Sequence, residues 1–569
     1  MDLNPALLTG LYEHSPWIVA QALARGPFRS LAAFKRACVE VLEAAGREAQ
    51  LQLIRAHPEL VGKAGVDSSA LTRESRGEQS SAGLASCSPE EFARLQQLNR
   101  DYNARFGWPF ILAVRGPRGL GLTRTQVIDT FARRLLAHPD TEFLECQRQI
   151  HRIAELRLMD ALGERIAEGE QCWDWAEQLA RHSDDAGQLT VTYCTPAHQA
   201  CARQLQAWMR EVGFDEVRID AVGNVVGRYH GTGTRCLMTG SHYDTVRKAG
   251  RYDGRLGILA PLAAVRRLAG RRLPVGLELV AFAEEEGQRF PATFLASSAL
   301  TGSFQPAWLE QRDAAGVTMR EAMQAAGLPG TMEAIAALRR DPANYLGFVE
   351  LHIEQGPVLD AAQQPLGVVT SINGSHRYLG EFVGQACHAG TTPMAMRQDA
   401  LLGLAELALF TETQARALGA VGTVGICEVP SGSINVVPGC CRFSLDLRAP
   451  DDATRDALRD AVLQEAQAVA GRRGLRCELQ ATVAADAAPS HPDWQARWEA
   501  AVRQLGLPVH RLNSGAGHDA MKLHQILPQA MLFVRGGNAG ISHNPLETIT
   551  AHDAQLAVDA FAKLWEGLA

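Results

Sequence analysis

The chain has 569 residues and a formal net charge of −7, too long for a single core and too acidic for a general role on nucleic acid or anionic membranes. Hydrophobic content of 46% and charged content of 21% are those of a globular protein, and no apolar run reaches the roughly 18 residues of a membrane span. Twelve cysteines without CxxC spacing read as free thiols, and MDLNPALLTGLYEHSPW shows no signal peptide, so a cytoplasmic protein is expected.

Residues 1–165 predict an all-α domain. Apolar residues recur at helical spacing over Leu31–Leu42, Glu90–Tyr102, Thr125–Leu136 and Thr141–Leu158, and Ser88-Pro89-Glu90-Glu91 is a helix start signal. Pro109–Val114 is the one strand-like run. Neither metal-ligand spacing nor a nucleotide loop occurs in this region. His57, in Ala-His-Pro-Glu-Leu, is held extended or in a turn by the proline that follows it, and reads equally as a structural histidine. Ser75 and Glu78, in SRGEQSSAGL, have the spacing of a capping box.

After about residue 185 the pattern changes. Strand candidates at Val217–Val226, Arg235–Thr239, Leu277–Phe282 and Gly347–Leu351 alternate with helix candidates at Leu256–Leu268, Pro291–Leu300 and Met319–Ala326. Such alternation predicts an α/β sandwich, with chemistry at the strand C-terminal ends. Residues 367–483 read as a separate α+β unit: strands at Leu379–Val383, Ala420–Val429, Cys440–Arg448 and Arg476–Ala484, helices at Ala400–Leu418 and Asp452–Ala470. It is inserted into a larger domain of residues 170–366 and 484–569, which ends in a strand after Pro528 and a helix from Ala551.

Five residues of metal-ligand type run along the larger domain: His242 in GSHYDTV, Asp253 in RYDG, Glu286 in AEEEG, His352 in ELHIEQG and His543 in SHNPLE. Three imidazoles and two carboxylates suit a pair of borderline-hard divalent ions, with Asp253, at a sharp turn, able to bridge them. Asp244 stands two residues from His242, on the same face of an extended segment, and can orient it. Glu285 lies beside a ligand candidate without being needed as one; a carboxylate beside a metal-activated water is a general base. Taken singly, a strand-end histidine is often structural and a Glu-Glu-Glu run is often a solvated surface. This run, however, ends the apolar segment Leu277–Ala283, and all five residues occur in order.

GSHYDTV, YDGRLG, AEEEGQRF, ELHIEQGPVLD, CHAGTTPM, GSINVVPG, DLR, SGAGHDA and SHNPLE together resemble the blocks of the M20 metallopeptidase-like amidohydrolases. The match is to the branch that hydrolyses N-carbamoyl and ureido groups, and it covers nearly all of residues 170–569. The resemblance implies a binuclear site of zinc or manganese in which His242 and His352 serve different ions, Asp253 bridges, and Glu286 and His543 complete the other. It implies that the inserted unit is a lid and dimerisation domain. His388 would stabilise the oxyanion, with a structural role in a turn as the alternative. Arg448 would clamp a substrate carboxylate, and Asn435, Gln355 and His518 would add hydrogen bonds or serve as turn and loop residues.

AHPELVGK, SRGEQSSAGL, LNRDYNARFGWPFILAVRG and QIHRIAELRL resemble OHCU decarboxylase, an all-helical enzyme of urate breakdown that uses no cofactor. Trp108 stands where that family more often has phenylalanine. The resemblance implies catalytic His57 and Glu78. Ser75, Gln79, the backbone around Phe110 and Ile111, and Arg157 would bind substrate, with Arg152 the alternative to Arg157 on the same helix. Joined on one chain, the two resemblances imply a bifunctional purine-catabolic enzyme that makes (S)-allantoin and, beyond a ring opening done elsewhere, hydrolyses allantoate. The alternatives are an N-carbamoyl-L-amino acid or ureidoglycolate as hydrolase substrate, and a non-catalytic docking role for the helical domain. Small ureido molecules and a second copy of the chain are the expected partners.

Overall fold

The computed structural model describes residues 3–28, 31–60, 87–115, 122–163, 167–268, 270–430 and 432–568. Ser75, Glu78 and Gln79 lie outside the described residues.

The N-terminal unit is helical. Its described helices are Pro16–Leu23, Leu31–Ala44, Gly46–Arg55, Pro89–Phe106, Arg124–Arg134 and Pro139–Leu162. Local chemistry starts two of them. Ser88 and Glu91, and again Thr123 and Gln126, form capping boxes that satisfy otherwise orphaned backbone N–H groups. Their apolar faces meet in one core containing Leu95, Tyr102, Phe110 and Phe131.

Pro109–Val114, expected as strand-like, forms no strand, and its residues from Phe110 onward are buried. Side chains take the place of a sheet partner. Phe110 stacks on Phe131 with ring centroids 3.8 Å apart, the Ile111 carbonyl accepts from Arg134 Nη1 at 2.7 Å, and Ala113 N–H donates to Gln149 Oε1 at 2.9 Å. The strand expected from the β-forming composition is therefore absent, because these side-chain partners satisfy the segment without a neighbouring strand.

The rest of the chain builds three sheets from strands β1 (Glu216–Ile219), β2 (Val225–Tyr229), β3 (Cys236–His242), β4 (Gly276–Phe282), β5 (Tyr345–Ile353), β6 (Leu366–Ile372), β7 (Gly374–Val383), β8 (Cys387–His388), β9 (Val421–Thr423), β10 (Cys427–Glu428), β11 (Val436–Val437), β12 (Cys440–Ala449), β13 (Arg476–Ala485), β14 (Ala488–Pro489), β15 (Arg511–Ser514) and β16 (Gln529–Val534). The large sheet runs β1-β2-β4-β3-β5-β16-β6-β14, with β15 beside β6. Its centre is parallel: β3 pairs β4 and β5, and β5 pairs β16. These central strands are buried on both faces, as parallel strands covered by helices are. Val217–Val226, expected as one strand, is instead the hairpin β1–β2, turned through Gly223 at φ +93°. The expected helix at Pro291 begins only at Leu295, after the left-handed Phe294.

A second sheet, β10-β12-β7-β13 with β9 beside β12, carries the helices Ala400–Leu418 and Asp452–Arg473 and encloses its own core of Phe382, Phe443, Leu447 and Val462. Ala420–Val429 is two short strands, β9 and β10, rather than one. β8 and β11 form a separate two-stranded ribbon, with His388 opposite Val436. The helix Glu168–Leu179 packs against the C-terminal helix Ala551–Glu566, where Gly169 is obligatory: a Cβ there would lie 2.1 Å from the Ala551 carbonyl oxygen. A cavity of about 760 Å³, lined by Lys35, Arg148, Tyr252 and Glu547 among others, lies between the helical unit and the α/β unit. No helix among the described residues is long and apolar enough to cross a membrane.

Candidate metal centre and decarboxylase site

Three parallel strands deliver the first site. His242 is the last residue of β3, Glu284-Glu285-Glu286 follow β4, and His352 lies near the end of β5. Asp253 comes from the loop before the helix Leu256–Leu268, and His543 from the loop after β16. Gly254, at φ +66°, has to be glycine, because a Cβ would lie 2.5 Å from the His242 ring.

Asp253 is the centre. Its Oδ1 lies 3.6 Å from His242 Nε2 and 3.4 Å from His352 Nε2; its Oδ2 lies 3.2 Å from His543 Nε2, which is 3.5 Å from Glu286 Oε1. Four groups among the described residues could hold a metal ion, and two of them share Asp253: His242–Asp253–His352 and Asp253–Glu286–His543, the candidate ligand atoms of each within 4.8 Å of one another. Where the expectation placed His242 and His352 on different ions, both lie nearest the same oxygen of Asp253. Both end neighbouring parallel strands, so both face the same oxygen, and His543 pairs with Glu286 on the other.

The donor set fits divalent cations. Asp253 Oδ1 is buried with no hydrogen-bond partner, yet two imidazole nitrogens surround it at more than hydrogen-bond distance. Burial and the charge of Asp253 push Glu286 up to about 7, and burial with the neighbouring carboxylates pushes Glu285 well above the usual carboxylate range. Burial alone would raise Asp253 too, but the imidazoles of His242, His543 and His352 draw it well below. Crowded buried carboxylates of this kind are relieved by bound cations.

Supporting groups set the geometry. Asp244 accepts the N–H groups of both Glu285 and Glu286 at 3.1 Å, and its carboxylate lies 3.4 Å from His242 Nδ1. Glu547, which the sequence reading left unassigned, accepts from the N–H groups of Tyr252 (2.8 Å) and Asp253 (3.1 Å) and from Ser542 Oγ (2.8 Å), so it ties the Asp253 loop to the His543 loop. Its place in SHNPLE, four residues after His543, was the available signal. Glu350, also missed, shares a strand face with His352 and accepts from Ser241 Oγ (2.7 Å) and Ala520 N–H (3.1 Å). Gln355 (φ +57°) and His543 (φ +54°) hold left-handed backbone, which costs about 1–2 kcal/mol each for residues with a Cβ.

Of the expected substrate contacts, two reach this centre. Gln355 Nε2 donates to Asp253 Oδ2 at 3.0 Å, and the His518 ring meets His352 edge-on at 4.4 Å while its Nε2 lies 2.8 Å from Ser514 Oγ. Arg448 is held bidentate by Asp446 (2.8 and 2.7 Å) and donates to the Gly515 carbonyl at 2.6 Å, on the loop that leads to His518. His388 is exposed, with Nδ1 accepting from Gly390 and Thr391 N–H, and Asn435 is an exposed neighbour on the same ribbon. Among the described residues, no hydrogen bond or ion pair joins either of them to the metal-ligand cluster of the same chain.

The second site lies in the helical unit. His57 is buried, and its Nδ1–H donates to the Leu53 carbonyl at 2.9 Å, which leaves Nε2 as the acceptor. Burial pushes its imidazolium down to about 4, and Glu13 and Arg157 are within electrostatic reach. Arg157 donates to Glu13 Oε2 and the Gly10 carbonyl, both at 2.9 Å. Arg152 instead pairs with Glu155 at 3.1 Å. Of the two candidates, Arg157 is the one whose charge acts on His57. Glu13, not singled out in the sequence, is what holds it.

Two ligand sets sharing one carboxylate, at the C-terminal ends of a parallel sheet, are the arrangement of a hydrolase that works with divalent ions. The chain belongs to peptidase family M20/M25/M40, matched over residues 238–567, and residues 4–159 match OHCU decarboxylase. Allantoate deiminase of Arabidopsis thaliana is 36% identical over 419 residues, covering 67% of this chain and 78% of the relative. N-carbamoyl-L-amino acid amidohydrolase of Geobacillus stearothermophilus is 37% identical over 411 residues, covering 70% and 99%. A hydantoinase/carbamoylase-family amidase from Burkholderia multivorans has a solved structure 31% identical, with a TM-score of 0.66, covering 70% of this chain and 98% of that one. The protein is thus an enzyme that joins a decarboxylase-family domain to an amidohydrolase-family domain.

Proposed function

We propose that this chain carries two steps of urate breakdown: decarboxylation of 2-oxo-4-hydroxy-4-carboxy-5-ureidoimidazoline to (S)-allantoin by residues 1–165, and hydrolysis of allantoate to ureidoglycine, ammonia and CO2 by residues 170–366 and 484–569. The observation that carries the hydrolase reading is Asp253, with an imidazole pair on one oxygen and His543 with Glu286 near the other. Allantoate is favoured over other ureido acids because a urate-pathway decarboxylase domain shares the chain.

His242, Asp253 and His352 would hold one divalent ion, and Asp253, Glu286 and His543 the other. Bound there, such ions supply Lewis acidity at the ureido carbonyl and at the attacking water. Glu285 takes the proton of that water and passes it to the leaving nitrogen. Gln355 and His518 orient the substrate, and Arg448 takes its carboxylate by exchanging it for Asp446. The unit at residues 367–483 serves as lid and dimerisation domain. Its exposed Leu401, Leu402, Leu409, Val421 and Ile426 favour a partner surface, and His388 and Asn435, remote from this chain's cluster by every polar contact, act on the site of a second copy.

In the helical unit, the electron pair left by CO2 passes into the ring C=N bond, whose nitrogen takes a proton from water, and neutral His57 accepts the proton of the substrate hydroxyl through Nε2 and returns it to the ring carbon. Glu78 stabilises the reacting form; Arg157, held by Glu13, pairs with the carboxylate. Ser75, Gln79 and the backbone at Phe110 and Ile111 complete the pocket, although the Ile111 carbonyl is already taken by Arg134. Because the neutral ring is the working form, decarboxylation should be flat from about pH 6 to 8 and fall as the pH drops through about 4. A kcat/KM profile checks this. A fall centred near the ordinary histidine value of about 6.5 would contradict it.

The hydrolase reading is tested by ammonia release from allantoate, N-carbamoyl-alanine and ureidoglycolate, before and after chelation and Mn2+ or Zn2+ return. Allantoate should turn over fastest, chelation should abolish the activity, and decarboxylation should survive chelation. Faster turnover of N-carbamoyl-alanine would favour the second reading, which the 37% identity to the Geobacillus amidohydrolase supports.

A further inference from the structure

The loop that presents Asp253 is gripped from three sides. Behind it stands Glu547, so close that a Cβ on Gly250 would lie 2.2 Å from the carboxylate carbon. In front stands His242, against Gly254. Between these two glycines, Arg251 turns away from the metal-ligand cluster and toward the helical unit. Its Nε lies 2.8 Å from Glu177 Oε1, and Arg133 of the helical unit lies 3.7 Å from the other Glu177 oxygen.

The helix Pro139–Leu162 closes the third side. Its Glu145 and Arg148 line one cavity with Arg251 and Tyr252, and a second with Arg133 and Glu177. Arg148 is bidentate to Glu145 at 2.8 and 2.9 Å, and its guanidinium sits 5.2 Å from the centre of the Trp173 ring, on the helix that also carries Glu177. Glu145 and Glu177 are almost fully buried, with side chains 3% and 7% exposed. Three guanidinium groups and two carboxylates thus form one network: Arg133, Glu145 and Arg148 from the helical unit, Glu177 and Arg251 from the hydrolase unit. In such a network the loss of one partner leaves an uncompensated buried charge, so its members hold one another in place.

We propose that Arg251 is a positioning residue through which the helical unit fixes the Asp253 loop, so that metal affinity in the hydrolase unit depends on the Glu145–Arg148 pair of the decarboxylase unit. The proposal rests on the reading of Asp253 as a metal ligand. Asp253 has to offer its two oxygens to two ligand sets at once, and the residue two positions earlier sets how the loop meets them. Groups that hydrogen-bond a ligand directly are typically worth about 10- to 100-fold in metal affinity, and Arg251, acting through the loop backbone, is set against that range.

The test is Mn2+ binding by full-length, metal-stripped protein, measured by calorimetry for the unaltered chain, Arg251→Met, Arg251→Lys and Arg148→Met. Arg251→Met should weaken Mn2+ binding about 10- to 100-fold, with decarboxylation unchanged, and Arg251→Lys should recover part of the loss. Arg148→Met, confined to the helical unit, should also weaken Mn2+ binding. Unaltered affinity in Arg251→Met overturns the proposal alone. Unaltered affinity in Arg148→Met overturns the link between the units. No Mn2+ binding by the unaltered chain overturns the metal reading and the proposal with it. Glu177→Gln, nearly isosteric, makes the same measurement if Arg251→Met does not yield folded protein.

Discussion

Glu285→Gln is expected to lower kcat for ureido hydrolysis by about 10³-fold, within the range of a lost general base, while metal content and KM change little. Glu285 lies 9% exposed at the edge of the cluster, its N–H on Asp244 and its carbonyl accepting from Phe294 N–H, so the side chain is aimed by two backbone contacts. Glutamine keeps the shape and those contacts and removes only the capacity to take a proton. A carboxylate oxygen of Glu285 also falls within ligand reach of His242 and Glu286, which makes the measurement discriminating. Steady-state kinetics and metal analysis are made on the same sample. A parallel loss of metal would make Glu285 a ligand, and an unchanged kcat would remove it from the chemistry.

His57→Asn is expected to lower decarboxylation by about 10²- to 10⁴-fold and to leave ureido hydrolysis unchanged. Asparagine can still donate to the Leu53 carbonyl, but it cannot carry a proton through the position of Nε2. Freshly generated substrate has to be followed by its own absorbance, because it also decays without a catalyst. If the variant decarboxylates at the rate of the unaltered chain, the helical unit is a docking module and not an active site. Glu13→Gln gives a graded companion: it removes the charge that faces Arg157 without touching the ring and leaves the bond to the Gly10 carbonyl, so a rise in KM should exceed the fall in kcat.

The pairing of these two experiments matters because the units are joined by buried charge. Arg133 meets Glu177 across the boundary, Glu177 also holds Arg251, and the 760 Å³ cavity lies beside these groups and the Glu145–Arg148 pair rather than over either candidate site. A substitution that silences one activity and spares the other shows that the effect is local.

Much was legible before any coordinates. Helix periodicity and caps are local, so Ala400–Leu418 and Leu256–Leu268 were readable to the residue. The candidate ligands were readable because each sits in a motif of its own and three of them, His242, Glu286 and His352, lie at or just after the end of an apolar strand. Tertiary structure alone decided how they combine. β3 and β5 are neighbours although about a hundred residues separate them, so His242 and His352 share one oxygen of Asp253, and sequence order says nothing about that. It also decided that Pro109–Val114 finds its partners in Arg134, Gln149 and Phe131 rather than in a ladder, and that Arg157 goes to Glu13 and Gly10 while Arg152 pairs with Glu155. Glu13, Glu350 and Glu547 were passed over for the same reason. A lone carboxylate in a sequence carries no sign of the backbone N–H or guanidinium it will meet, and only long-range packing supplies that partner.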